Sequence, residues 1–299
     1  MRKTRKQIIE EKYPDGILYS TAPEAAELGA GKTPACPYCG KPTPFIGFFV
    51  GDDFYWLRER LQPCDCPGAT IAREAEAKAA QEKEAKEKRE EHEKCVKDLL
   101  SRSGLAARER GRTFDTFIET PENSKALKTA RRYVERIIDG SIKEIDKKSL
   151  FLFGSYGTGK TYLATAIANA AIEGEKRTVY TRFGEMCRDV QRAFDKGAKE
   201  SDGDIMRKYK KCGLLIIDDL GKERFTDWSL ALLFEIIDAR YRDMRPMVIT
   251  SNYSVEETVR KMTANGADAT TAGAIADRIE EEYFLVQILG QSWRRTARN

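Results

Sequence analysis

A short apolar run, SLFLF at 149–153, leads directly into Gly154-Ser155-Tyr156-Gly157-Thr158-Gly159-Lys160-Thr161, and a stretch with helical spacing begins at Lys160. No other feature constrains the fold as strongly. The eight residues fit G-x-x-x-x-G-K-[ST], and a strand before with a helix after is the setting that gives this pattern its physical meaning. Glycines let backbone N–H groups turn inward without a Cβ in the way. The start of the following helix adds partial positive charge. Such a loop cradles a chain of phosphates, and the candidate contacts are Gly154, Tyr156, Gly157, Thr158, Gly159, Lys160 and Thr161. Lys160 is suited to neutralise the β- and γ-phosphates, and the Thr161 hydroxyl to ligate Mg²⁺.

Further apolar runs follow at 177–183 (RTVYTRF), 212–219 (CGLLIIDD), 246–252 (PMVITSN) and 284–289, with helical patterns between them. Strands alternating with helices predict an α/β domain whose five-stranded sheet is parallel and covered by helices. In LLIIDD, four apolar residues make a buried strand. Its two carboxylates emerge at the C-terminal edge, where such sheets bind ligands. Asp218 is placed to hold Mg²⁺, directly or through water, and Asp219 to polarise an attacking water; the alternative is a solvated turn. Hydrolysis also needs a polar sensor of the γ-phosphate and cations for the transition state. Asn252 is the candidate sensor, with a strand-terminal turn or N-cap as the alternative. Arg278 and Arg294 are the candidate cations, each of which could instead be a surface arginine.

Ahead of this domain, residues 71–100 contain neither Gly nor Pro and consist of strong helix formers. Glu precedes Lys by four residues at Glu74/Lys78, Glu82/Lys86, Glu84/Lys88, Glu90/Lys94 and Glu93/Lys97. Large apolar residues are almost absent before Val96, so the pattern predicts a solvated charged linker rather than a coiled coil. Residues 1–70 hold four clustered cysteines, Cys36, Cys39, Cys64 and Cys66. C-x₂-C followed by C-x-C supplies a thiolate set for one tetrahedral ion, and zinc in a structural role is expected. The alternative is four reduced thiols in a small aromatic core. The aromatics from Phe45 to Trp56 suit either an interface or that core. The expected organisation is therefore 1–70 zinc module, 71–104 linker and 105–299 ATPase domain.

Global composition excludes more than it proves. The net charge of +4, from 52 basic and 48 acidic residues, is too small to argue nucleic-acid binding. The only histidine, His92, sits in the charged run, which disfavours His-dependent triads and His-ligated catalytic metals. No run reaches the roughly 18 apolar residues of a membrane span. The basic N-terminus lacks the apolar core of a signal peptide. A cytoplasmic protein with no membrane partner is expected.

Taken together, GSYGTGKT, LLIIDDLG, IIDARY, ITSN, DRI and GQSWR resemble the bacterial helicase loaders of the DnaC/DnaI type, an AAA+ clade shared with the IstB transposition helpers. The match covers about residues 105–295, and TFDTF at 113–117 resembles the segment that opens the family's ATPase domain. The resemblance implies Walker A at Lys160 and Thr161, Walker B at Asp218 and Asp219, and sensor 1 at Asn252. It implies an arginine finger at Arg278, acting on ATP held by a neighbouring subunit, and sensor 2 at Arg294. Most AAA+ proteins carry Glu where this chain has Asp219, so slow hydrolysis is expected. Little sequence follows Arg294, which fits loaders without a helical lid. The implied partners are the replicative helicase, through the zinc module, and single-stranded DNA, with self-association through the ATP site. The segment Lys222–Trp228 is the candidate DNA-facing loop, although Thr226 or Asp227 also reads as an N-cap. Two rivals to the loader are a transposition helper and an adaptor for which ATP is only a switch.

Overall fold

The computed structural model describes residues 4–141, 147–193 and 201–291. The chain forms two compact units, Met1–Arg89 and Glu90–Asn299, divided inside a long helix.

In the first unit, α1 (Arg5–Lys12) is capped by Thr4. Strands β1 (Leu18–Tyr19), β2 (Phe45–Val50) and β3 (Asp53–Leu61) form an antiparallel sheet in that order. Strand alternation divides the aromatic residues between two faces. Phe45 and Trp56 meet edge-to-face at 5.3 Å, and Phe54 meets Trp56 at 5.0 Å. A Cβ on Gly47 would lie 2.5 Å from the Phe54 ring and 2.7 Å from Trp56, so this aromatic packing needs a glycine there. The Trp56 indole donates to the Leu28 carbonyl at 2.9 Å. On the opposite face Tyr55, Leu57 and Val50 are exposed.

Helix α2 runs Pro67–Arg102, beginning four residues before the uninterrupted charged stretch. Proline is favourable at a first helical position. Gly68 is tolerated because the Tyr38 side chain packs where its Cβ would stand, 2.8 Å away. Of the expected Glu-to-Lys pairs, Glu84–Lys88 closes at 2.6 Å.

The second unit continues through a 3₁₀ turn (Ala107–Glu109), α3 (Ser124–Ile138), β4 (Ser149–Phe153), α4 (Lys160–Glu173), β5 (Thr178–Arg182) and α5 (Phe183–Ala193). It ends with α6 (Asp202–Lys211), β6 (Leu214–Leu220), α7 (Asp227–Arg242), β7 (Met247–Ser251), α8 (Val255–Thr263), α9 (Ala269–Glu282) and β8 (Tyr283–Gln287). All five strand candidates pair in the order β5-β6-β7-β4-β8, parallel throughout. Their runs are continuously apolar because both faces are covered. Leu215 and Ile217 face one core with α5 to α9, while Leu214 and Ile216 face the other with α3 and α4. At the opposite end of the sheet from the phosphate loop, the buried Arg240 of α7 donates to the carbonyls of Tyr209 (2.9 Å), Cys212 (3.0 Å) and Pro246 (2.6 Å). No described helix is long and apolar enough to cross a membrane.

The end of α2 belongs to this second unit. Val96, Leu99 and Leu100 pack on the α3–α4 core. His92 places Nδ1 2.8 Å from Glu175 and Nε2 3.3 Å from Glu173. Only an imidazolium can donate to both carboxylates. Hydrogen bonds to Glu175 first, then Glu173, raise the His92 pKa above 6.5. A raised folded-state pKa contributes stability below the unfolded value and loses it as pH rises through the folded value. A single imidazole titration should therefore report above the ordinary histidine range by NMR. Melting temperature should fall with pH through that titration, and His92→Gln should remove this component; an unshifted titration would disprove the pairing of His92 with Glu173 and Glu175.

Candidate functional site

The phosphate loop leaves β4 and enters α4. Gly154 has φ +147°, and a Cβ there would lie 2.3 Å from the Ile288 carbonyl oxygen. Gly159 has φ +100° and stands at the N-cap of α4. The Lys160 side chain is buried and donates from Nζ to the carbonyls of Gly154 (2.9 Å) and Ser155 (2.7 Å), curling over its own loop. The Thr158 hydroxyl is spent inside the loop, donating to the Ser155 carbonyl at 3.0 Å. Tyr156 is exposed, with its hydroxyl 3.3 Å from that of Tyr253.

Strand β6 brings the two aspartates to this loop by breaking its own period. Strict alternation would send Asp218 and Asp219 to opposite faces. Instead the register against β7 shifts between Ile217 and Leu220. Asp219 takes the left-handed conformation at φ +63°, which Asp tolerates better than most residues. Bulges of this kind re-aim side chains near functional sites.

Asp218 is 0% exposed. Its Oδ1 accepts from Thr250 Oγ1 at 2.7 Å, its Oδ2 accepts from the Tyr180 hydroxyl at 2.9 Å, and Thr161 Oγ1 donates to the same carboxylate at 3.1 Å. Burial raises the Asp218 pKa, opposed by hydrogen bonds from Thr250, Tyr180 and Thr161. Asp219 donates its backbone N–H to Thr250 Oγ1 at 2.8 Å, and its carboxylate accepts from Asn252 Nδ2 at 3.3 Å. Lys222 forms an ion pair with that carboxylate. Asp219, Lys222 and Asn252, with Lys160 and Thr161, line the phosphate side of a cavity of about 340 Å³.

The other end of the cavity was not legible from the motifs. Arg112, Thr116, Phe117, Ile118 and Tyr162 line it. Phe117 meets Tyr162 edge-on at 5.6 Å, Arg112 lies over the Tyr162 ring at 5.4 Å, and the Tyr162 hydroxyl donates to Thr116 at 2.7 Å. Such a wall can accept a flat aromatic ring. Its one sequence signal was TFDTF. The residues are suited to a nucleoside triphosphate with Mg²⁺: the oxygens of Thr161 and Asp218 are hard ligands of the kind that ion takes.

Arg278 does not line this cavity. It lies on α9 over the Tyr241 ring at 4.1 Å, with Asp238 at 3.6 Å and Glu281 at 3.5 Å. Arg294 lies outside the described residues. In the segment after β6, Phe225 is 1% exposed and stacks on Phe183 at 5.4 Å, so it cannot offer a face to a base. Thr226 caps α7, accepting from the Ser229 N–H at 3.2 Å. Lys222, Arg224 and Trp228 remain exposed.

In the first unit, the Sγ atoms of Cys36, Cys39, Cys64 and Cys66 all lie within 4.8 Å of one another. Cys36 and Cys66 are 3.7 Å apart, and Cys39 and Cys64 3.5 Å. A zinc ion with Zn–S bonds of about 2.3 Å sets tetrahedral S···S edges of about 3.8 Å. The Ala69 N–H, in the first turn of α2, points at Cys66 Sγ from 3.4 Å. The amide of Tyr38, and then that of Cys39, help pull the Cys36 thiol down to about 7. Four thiols with helix and knuckle amides aimed at them suit a closed structural zinc site.

The sequence profile of the family described as "IstB-like ATP binding protein" matches residues 72–299. The chain belongs to that family. One similar protein is the ATP-binding protein of insertion sequence IS232 from Bacillus thuringiensis subsp. berliner, 30% identical over 148 residues, covering 50% of this chain and 56% of that protein. The chain thus spans about half the length of that relative. Another is the replicative helicase loader DnaC of Escherichia coli (strain K12), 25% identical over 186 residues, covering 62% of this chain and 73% of that protein. Among solved structures, DnaI superposes with a TM-score of 0.51 at 23% identity, over 64% of this chain and 94% of that one, and shows the shared AAA+ fold. Members of the family bind ATP, and the second unit has the AAA+ P-loop architecture.

Metal analysis of the purified chain should find about one zinc per molecule. Cys39→Ser with Cys64→Ser should lose it; full retention would show that the four thiols are not the ligands.

Proposed function

We propose that this chain is an ATP-dependent loader of the replicative DNA helicase, working on single-stranded DNA. The observation that carries this reading is the four-thiol site in a separate unit ahead of an ATPase of this family. An ATPase alone needs no such module; a loader uses one to hold its partner. The support for hydrolysis is the convergence of Thr161, Asp219 and Asn252 on one cavity, with the buried Asp218 bonded to Thr161 behind it.

In this mechanism the loop amides and Lys160 hold the phosphates of ATP. Thr161 and Asp218 would hold Mg²⁺, which would supply positive charge to the β- and γ-phosphates. Asn252 and Asp219 orient a water for in-line attack on the γ-phosphorus. The new P–O bond forms as the bond to the ADP oxygen breaks, and Asp219 accepts the proton of the water. Arg278 of a neighbouring copy stabilises the transferring group, which makes turnover depend on self-association. Two features support slow turnover. Asp219 has a shorter reach than Glu, and Lys222 competes for its carboxylate. Lys222, Arg224 and Trp228 form the candidate contact with DNA, by phosphate pairing and base stacking.

The similarity to insertion-sequence ATP-binding proteins supports a second reading, a transposition helper with a transposase as its partner. Capture of the replicative helicase by the full chain separates the two. Binding that a zinc chelator abolishes supports the loader, and failure to bind supports the helper. Asp219→Asn should retain nucleotide binding and lower turnover about 10²-fold or more. Equal turnover in variant and wild type, with and without DNA, would instead identify an adaptor for which ATP is only a switch.

A further inference from the structure

Tyr180 on β5 does two things at once. Its buried hydroxyl donates at 2.9 Å to Oδ2 of Asp218, the carboxylate that also accepts from Thr161. Its backbone N–H donates to the Ser103 carbonyl at 2.7 Å. Ser103 follows the last residue of α2, so the chain leaving the linker helix lies along the open edge of β5, which is the end strand of the sheet. The fit is close. Gly104 has φ +83°, and a Cβ there would lie 2.3 Å from the Tyr180 carbonyl oxygen. Ser103 is 0% exposed, with its hydroxyl donating to Leu100 at 2.9 Å and accepting from the Leu105 N–H at 3.2 Å. Few adjustments of this segment can leave Tyr180 where it is, and a shift of Tyr180 moves a hydrogen bond on Asp218.

We propose that Tyr180 is a positioning residue for the metal-holding carboxylate Asp218, and that the Ser103–Leu105 segment ending the linker helix sets its position. The inference rests on the reading that Asp218 serves Mg²⁺ at the ATP site. Groups that orient a metal ligand from behind are needed almost as much as the ligand, and their loss typically costs about 10–100-fold in metal affinity. A link from the linker to this carboxylate makes Mg·nucleotide affinity sensitive to how the linker end is seated.

The test uses the full chain and measures binding of a fluorescent ADP against Mg²⁺ concentration, with thermal melting in EDTA as the check on folding. Tyr180→Phe keeps the ring and the backbone seam and removes only the hydroxyl. It should weaken the Mg²⁺ dependence about 10-fold and leave Mg²⁺-free nucleotide binding unchanged. Tyr209→Phe is the control, because it deletes another buried hydroxyl, 2.7 Å from Asp189 and away from the cavity. It should leave the Mg²⁺ dependence at the wild-type value. Gly104→Ala should shift the Mg²⁺ dependence in the same direction as Tyr180→Phe, and the double variant should show less than the sum of the two effects. Asp218→Asn separates the two levels of the claim. If it does not alter the Mg²⁺ dependence, the site reading fails and takes the inference with it. If it weakens the dependence while Tyr180→Phe matches wild type, the site reading stands and the role of Tyr180 is refuted. Additive Gly104→Ala and Tyr180→Phe effects would refute the link to the linker.

Discussion

A charged group sealed inside a protein must be matched by hydrogen bonds or opposite charge, or it neutralises. Asp218 meets that demand with donors from three other elements: Thr161 on α4, Tyr180 on β5 and Thr250 on β7. These elements reach one carboxylate only if β6 lies between β5 and β7, in parallel register, with α4 starting beside its C-terminal end. Site and topology are therefore one constraint. Burial still raises the Asp218 pKa against the pull of the three hydroxyls. In the mechanism proposed above, a divalent cation held by Thr161 and Asp218 would supply opposite charge to this carboxylate.

Much of the fold was legible because its signals are local. Continuous apolar runs such as LLII are what a strand buried on both faces requires, and all five strand candidates formed. The glycine loop needed no tertiary context. What escaped is what tertiary structure assembles. Arg112, Thr116 and Phe117 meet Tyr162 across some fifty residues of sequence, and no spacing rule joins them. The bulge that turns Asp219 into the cavity hides inside a run that reads as an ordinary strand end. Phe225 lies within the candidate DNA-facing segment Lys222–Trp228, yet it fills the core beside Phe183. Arg240, within the family-like IIDARY, ties three carbonyls together at the sheet end away from the cavity. A recognisable motif residue can thus be structural.

Two of the groups that would carry hydrolysis beyond metal binding are also paired with other side chains of the single chain. Asp219 is paired with Lys222, and Arg278 stacks on Tyr241 between Asp238 and Glu281. Exposed ion pairs are worth little individually, so neither arrangement is a strong lock. The stacking of Arg278 and its two acids nonetheless set a cost on redirecting the guanidinium toward a neighbour's phosphate. In the proposed mechanism that cost would be met where a neighbouring copy offers a better anion. Lys222 could likewise exchange Asp219 for a phosphate at little net change in charge pairing, since the pair is partly open to water. Weak intrachain pairs of this kind are cheap to break, as the proposed dependence of turnover on a neighbouring copy would require.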